Sequence, residues 1–168
     1  MTGRAEEAGP RAHGQTPDAA SAPTGTRHRL TGTISVELPP EAAFRLFTPA
    51  GEREWVDGWE PRFPASADDD TVPGTVFETA AHGRVTTWIV LAREPGRAIS
   101  YARVTPGERA GTVSVILDRD GAGSRVTVTY ELTSLTPEAR DGLRAFAAGY
   151  GEYLNSWEGA IAAAVTRR

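Results

Sequence analysis

The chain has 168 residues, 39% of them hydrophobic, and a formal net charge of −4, enough for one core in a folded unit of roughly 140 residues that buries about two-thirds of its unfolded surface. It has no cysteine, which excludes disulfides, thiolate nucleophiles and cysteine metal sites. All 18 basic residues are arginine, so Schiff-base chemistry by lysine is excluded too, and the mildly acidic balance predicts no nucleic-acid partner.

Residues 1–26 contain no Val, Ile, Leu or aromatic side chain, and such a composition cannot offset the entropy of ordering, so they are expected to form a disordered tail ahead of a single domain at 27–168. No apolar run has the length of a secretory or transmembrane segment. The expectation is a cytoplasmic protein without membrane insertion, a monomer or homodimer.

From Leu30 to Leu38 apolar and polar residues alternate, the period of a strand with one buried face, and Pro39-Pro40 end it. Ala43, Phe44 and Phe47 then have helical spacing, and Thr48-Pro49 restarts a second short helix through about Trp55. The stretch Val56–Pro73, with three prolines and Asp68-Asp69-Asp70, reads as a long loop. Thr75–Ala81, Arg84–Glu94, Arg97–Thr105, Arg109–Asp118 and Ser124–Leu135 read as strands. Their separators His82-Gly83, Pro95-Gly96, Pro106-Gly107 and Asp120-Gly121-Ala122-Gly123 make consecutive antiparallel hairpins. Residues 84–94 are apolar on both parities, which leaves open whether Trp88 or Ile89 faces inward.

A long helix is predicted from Thr136, as N-cap, to about Thr166, with Pro137 at its first position. Leu143, Ala147, Tyr150, Leu154, Trp157, Ile161 and Val165 form its apolar stripe, widened by Phe146 and Tyr153. Gly149 and Gly151 flank Tyr150 mid-helix, for close packing or for a kink that admits a ligand. The fold class is α+β: a curved antiparallel sheet of about six strands wrapped around a long C-terminal helix, with two short helices after the first strand.

This order, together with Pro40-Glu41-Ala42-Ala43-Phe44, Leu46-Phe47-Thr48-Pro49, Trp55-Val56-Asp57-Gly58-Trp59-Glu60-Pro61, Gly74-Thr75-Val76-Phe77 and the helical Tyr153–Trp157 segment, resembles the SRPBCC superfamily over about residues 28–165. These START-like or helix-grip proteins include polyketide cyclase/dehydratase-like members. The resemblance implies a mostly apolar cavity between sheet and helix for a lipid, polyketide, terpenoid or aromatic molecule. It specifies no single reaction.

Tyr101 and Arg103 share a strand face, and a guanidinium beside a phenol can hold a carboxylate or stabilise an enolate; a solvent-facing arginine is the commoner alternative. Glu78 is a candidate base if burial raises its pKa, against ordinary solvation at a sheet edge. His82 is the histidine well inside the expected fold, but it adjoins Gly83 in a turn. Trp55, Trp59, Phe77 and Trp88, with Tyr101 and Arg103, are the expected ligand contacts from loop and sheet. Phe146, Tyr150 and Tyr153 are those from the helix. Trp157 is expected to be structural.

The chain has no G-x-S-x-G elbow and no glycine-rich phosphate cradle opening a helix, so neither a serine hydrolase nor a nucleotide cofactor is expected. No metal site or other cofactor is predicted. Two further readings stand beside the binder of a hydrophobic small molecule. One is a cofactor-independent polyketide cyclase or dehydratase using Arg103 and Tyr101 with Glu78 or His82. The other is a protein-interaction module like the chaperone activators of the superfamily.

Overall fold

The computed structural model describes residues 22–168; most of the expected tail, residues 1–21, lies outside the described residues. The chain runs β1 (Arg27–Val36), α1 (Pro40–Ala43), two single 3-10 turns (Phe44–Phe47 and Gly51–Glu54), β2 (Val76–Ala81), β3 (Arg84–Glu94), β4 (Ala98–Thr105), β5 (Arg109–Asp120), β6 (Gly123–Ser134), α2 (Ala139–Ala148) and α3 (Tyr150–Thr166). All six strands form one antiparallel sheet in the order β1-β6-β5-β4-β3-β2. Four hairpins account for β2 to β6, and the first strand closes the sheet against the last.

Turn chemistry sets these hairpins. Gly96 and Gly107 have φ of +76° and +73° and follow prolines, and the Arg97 and Glu108 amides donate back to the Glu94 and Thr105 carbonyls at 2.9 and 3.0 Å. This is the type II turn, in which proline presets the first central residue and glycine supplies the positive φ of the second. At His82-Gly83 both central residues have positive φ, 51° and 74°, the two-residue turn whose twist matches the flanking strands.

The concave face carries Ile34, Val36, Phe77, Trp88, Val90, Ile99, Tyr101, Val113, Val115, Leu117, Val126, Val128, Tyr130 and Leu132, all buried. The ambiguity in β3 resolves to Trp88 inward and Ile89 outward, with Ile89 39% exposed. A bulge shifts the register between Val90 and Ala92, so Val90 opposes Tyr101 while Ala92 opposes Ser100; the extra residue, Leu91, breaks the alternation that would otherwise reveal the inward parity.

α3 crosses this face against β1, burying Tyr150, Leu154, Trp157, Ile161 and Ala164. Gly32 permits the approach, since a Cβ there would lie 2.5 Å from Leu154 Cδ1. The expected continuous helix is interrupted at Gly149, whose φ/ψ of −95°/9° leaves the helical basin. The interruption is slight, because the Gly149 amide still donates to Ala145 O and the Tyr153 amide to Gly149 O, both at 3.0 Å.

The regular part of α2 starts at Ala139, later than expected, yet Thr136 still caps it: its Oγ accepts the Ala139 amide at 3.2 Å and donates to Gly107 O at 3.1 Å. Thr136→Ala is expected to cost about 1 kcal/mol, the usual worth of such a cap, read as a lower midpoint in thermal denaturation. An unchanged midpoint would show that the cap contributes nothing. The second short helix expected through Trp55 is only one 3-10 turn, Gly51–Glu54, at whose start Thr48 Oγ accepts the Gly51 amide and donates to the Arg45 carbonyl. Among the described residues, no helix is long and apolar enough to cross a membrane.

Candidate functional site

The concave sheet, α3 and the segment from Pro49 to Trp59 enclose a cavity of about 390 Å³. Its walls are Phe77, Trp88, Tyr101, Val113 and Val115 from the sheet, Trp59 and Val56 from the connecting segment, and Tyr153 and Trp157 from α3. Phe77 and Trp88 stack with centroids 5.8 Å apart, and Trp59 and Tyr101 meet Trp88 edge-on at 5.7 and 6.2 Å. Such packing fixes ring orientations and leaves a stiff apolar surface.

The rings are anchored by their polar atoms. Trp59 Nε1 donates to Pro49 O at 2.7 Å and Trp88 Nε1 to Thr79 Oγ at 3.0 Å. Tyr101 Oη donates to Phe47 O at 2.7 Å, tying the cavity wall to the turn after α1. Burial, then the nearby carboxylates of Glu52 and Asp70, pushes the Tyr101 phenol far above its ordinary pKa. Its proton is therefore committed to the main chain, and Tyr101 acts as wall rather than as the phenolic partner of Arg103 expected from their shared face.

Arg103 does face the cavity. Its guanidinium carbon lies 4.8 Å from the centre of the Trp88 ring and Nη2 donates to Thr105 Oγ at 3.2 Å, while Nε is buried with no partner. No carboxylate among the described residues forms an ion pair with it, and burial lowers its pKa. Trp88 holds this cation by its π face, which leaves hydrogen-bonding edges unused.

Glu52 supplies the enclosed acid of the cavity, beside the exposed Asp57, and sequence reasoning missed it. It lies in the 3-10 turn Gly51–Glu54 and lines the cavity, with its carboxyl enclosed although the residue keeps some accessible surface. Burial raises its pKa well above the ordinary value, with no cation opposing the shift. Across the cavity, Tyr130 Oη lies 3.4 Å from Tyr153 Oη, and burial raises both phenols, the Glu52 charge adding to the rise. The only cue to Glu52 in the sequence was its position within Gly51-Glu52-Arg53-Glu54, which reads as a solvated turn.

Glu78 does not reach the cavity. It alternates with the inward Phe77 and Thr79, so it projects to the other side, where it pairs with Arg62 by side chain and by two main-chain hydrogen bonds of 2.8 and 2.9 Å. That bridge covers the free edge of β2 and uses the carboxylate as a strap. His82 sits exposed at the cavity rim in its two-residue turn. Trp55 is buried behind the wall, donating to Leu46 O at 2.7 Å and packing edge-on against Trp157 at 5.0 Å.

Tyr150 and Phe146 form a layer behind Tyr130 and Tyr153, and the Tyr150 hydroxyl is spent on Val128 O at 2.7 Å. Trp157, expected to be structural, lines the cavity. Asp69 and Asp70 staple the long loop: Thr71 and Arg93 hold the Asp69 carboxyl down to about 2, and Asp70 accepts the Ala50 amide at 2.7 Å.

Residues 27–156 match the family described as polyketide cyclase / dehydrase and lipid transport. The chain belongs to that family. Its fold is the SRPBCC helix-grip fold, seen also in the Mll3558 protein from Rhizobium loti, 22% identical with a TM-score of 0.59 over 82% of this chain and 99% of that one. CalU16 from Micromonospora echinospora is 19% identical, TM-score 0.56, over 84% of this chain and 90% of that one. The Aha1 protein from Colwellia psychrerythraea, solved as a dimer in solution, is 17% identical, TM-score 0.56, over 80% and 96%. No curated protein matches the chain. At these identities the structures share the family's fold, and the family's description names polyketide cyclases and dehydrases and lipid transport.

Proposed function

We propose that the chain binds a hydrophobic small molecule of lipid, polyketide, terpenoid or aromatic type in the cavity between sheet and α3. The observation that carries this reading is the ring-lined space of about 390 Å³ holding Arg103 without a carboxylate partner. A core built only for stability would fill that space, because interiors are close-packed and a buried cation without a counter-ion is costly. Trp59, Phe77, Trp88 and Tyr153 supply apolar contact, and Arg103, Glu52 and the Tyr130–Tyr153 pair supply orientation.

Ligand at about 100 times its dissociation constant adds roughly 2.7 kcal/mol to a protein that binds it only when folded. A thermal-shift panel of fatty acids, aromatic acids and polyketides is expected to find such a compound, with Trp59→Ala and Trp88→Ala reducing the shift. Native mass spectrometry then gives the mass of the retained ligand. A panel without any shift would overturn the reading.

One arrangement favours a second reading, that of a cofactor-independent cyclase or dehydratase. Arg103 can bind a carbonyl oxygen as negative charge develops, while the Glu52 carboxylate, made more basic by burial, takes the proton from the neighbouring carbon and then returns it to the departing hydroxyl, which leaves as water. In this reading Glu52 takes the proton-transfer role expected of Glu78 or His82. Turnover of an aromatic polyketide by the wild type, abolished in Glu52→Gln and Arg103→Ala with affinity largely retained in Glu52→Gln, is the expected result. A wild-type rate matched by Glu52→Gln removes this mechanism.

A further inference from the structure

Arg103 stands at a boundary. On its far side from the aromatic rings lies a second hollow of about 410 Å³, lined by Arg84, Thr86, Arg103, Glu108 and Arg109 under the start of α2, with His82 at the rim it shares with the first. The register explains the clustering: Arg103 opposes Gly111, and Arg109 opposes Thr105. The two arginines are thus inward-facing diagonal neighbours on adjacent strands, close enough for Arg109 to depress the pKa of Arg103.

The charges there do not balance. Glu108 is the one carboxylate of the hollow among the described residues, and it is shared, lying 3.2 Å from Arg109 and 3.6 Å from Arg84. Arg109 is 13% exposed and its guanidinium lies 5.5 Å from the centre of the Phe146 ring. Each of the two inner arginines therefore rests on an aromatic face. Arg103 Nε and Arg109 Nε are the buried side-chain polar atoms without a partner among the described residues. Unmet buried donors are rare because each forfeits its hydration, and two on adjacent guanidinium groups constitute an incomplete site.

We propose that Arg103 and Arg109, with Arg84 at the rim, form an oxyanion subsite that takes the carboxylate of an amphipathic ligand whose apolar body occupies the aromatic cavity. This inference rests on the cavity being a ligand site and adds the chemical class of the ligand, a monoanionic organic acid. A planar guanidinium binds a carboxylate through paired donors, and a carboxylate set between two guanidinium groups relieves their mutual repulsion. Trp88 and Phe146 keep the arginines in place before the ligand arrives.

The test compares decanoate with decan-1-ol, which differ mainly in charge, by titration calorimetry on the full chain. Decanoate is expected to bind about 10–100-fold more tightly, the usual worth of charge-assisted hydrogen bonds. In Arg103→Gln and Arg109→Gln that ratio is expected to fall toward one. Arg84→Gln, at an exposed position, lowers it partially and keeps the test open should the inner variants fail to fold. Equal binding of acid and alcohol overturns the subsite and leaves the cavity reading standing.

Binding of neither compound counts against the cavity reading itself, and the subsite is then judged alone by NMR of the arginine Nε–Hε groups during acetate titration. Movement of the Arg103 and Arg109 signals supports it. Signals that stay fixed overturn it.

Discussion

Replacing Glu52 by glutamine is expected to stabilise the protein at pH 8 and to change little near pH 4. The native carboxyl titrates well above its ordinary value of 4.5, because burial in the cavity penalises the charged form. Between 4.5 and that raised value the native state holds a proton that the unfolded chain releases. Stability therefore falls as pH rises through this window, the reverse of the behaviour of a salt-bridged carboxylate. Below 4.5 both states are protonated and the residue is silent.

Each tenfold difference in proton affinity between the two states is worth about 1.4 kcal/mol, and about 1 kcal/mol moves the midpoint of a domain of this size by roughly 2–4 °C. Glutamine keeps the shape and the donor while removing the titration, so its unfolding midpoint above pH 5 lies higher than that of the wild type by a margin that grows with pH. Thermal unfolding at unit intervals from pH 4 to pH 8 checks this. Parallel curves for the two proteins would mean that Glu52 ionises freely, and the proton-transfer role suggested for it would fall with the prediction.

Gly111→Ala is expected to cost at least about 3 kcal/mol, the upper end of the usual penalty for overpacking. Gly111 lies inside β5 between Arg103 on β4 and Leu132 on β6, and an added Cβ would fall 1.8 Å from the Glu131 carbonyl oxygen and 3.0 Å from Leu132 Cα. Those atoms belong to the neighbouring strand's backbone, so no side chain can swing aside. Relief requires the β5–β6 ladder to part where it bounds the arginine cluster. Urea unfolding gives the loss directly, and a variant as stable as the wild type would show that the sheet yields there at no cost.

Much of this architecture was legible in the sequence, for local reasons. Pro95-Gly96 and Pro106-Gly107 fix turns through their own backbone preferences, whatever surrounds them, and the alternation in β5 and β6 survives because one face is dry and the other wet. β3 was ambiguous because its outer face carries Val85, Ile89 and Leu91, each at least 39% exposed, so apolar character does not mark its inner parity.

The site was harder. Arg103 could be nominated from residue type and strand parity, Trp59 and Trp88 from residue type alone. Glu52 could not, since its role depends on a turn folding back across the sheet, which no local pattern encodes. Glu78 illustrates the converse, a carboxylate whose partner Arg62 comes from a loop and turns a candidate base into an edge clasp. Tyr101 was placed on the correct face, but its hydroxyl is claimed by a carbonyl 54 residues away. Residue type announces what a side chain can do, and distant contacts decide whether it remains free to do it.

The strand order also constrains how the chain comes together in time. Four neighbouring pairs are hairpins that can form as soon as their own residues are available, whereas β1 must wait for β6, and the contact between Arg29 and Glu131 spans 102 positions. During synthesis the N-terminal strand is therefore an unmatched edge for most of the time the ribosome is at work, and the concave face stays bare until α3 has emerged. Closing a loop of that length is a slow, entropy-limited event. Nascent chains stalled before residue 134 are the ones most in need of a chaperone, and moving β1 to the C-terminal end by circular permutation should quicken folding.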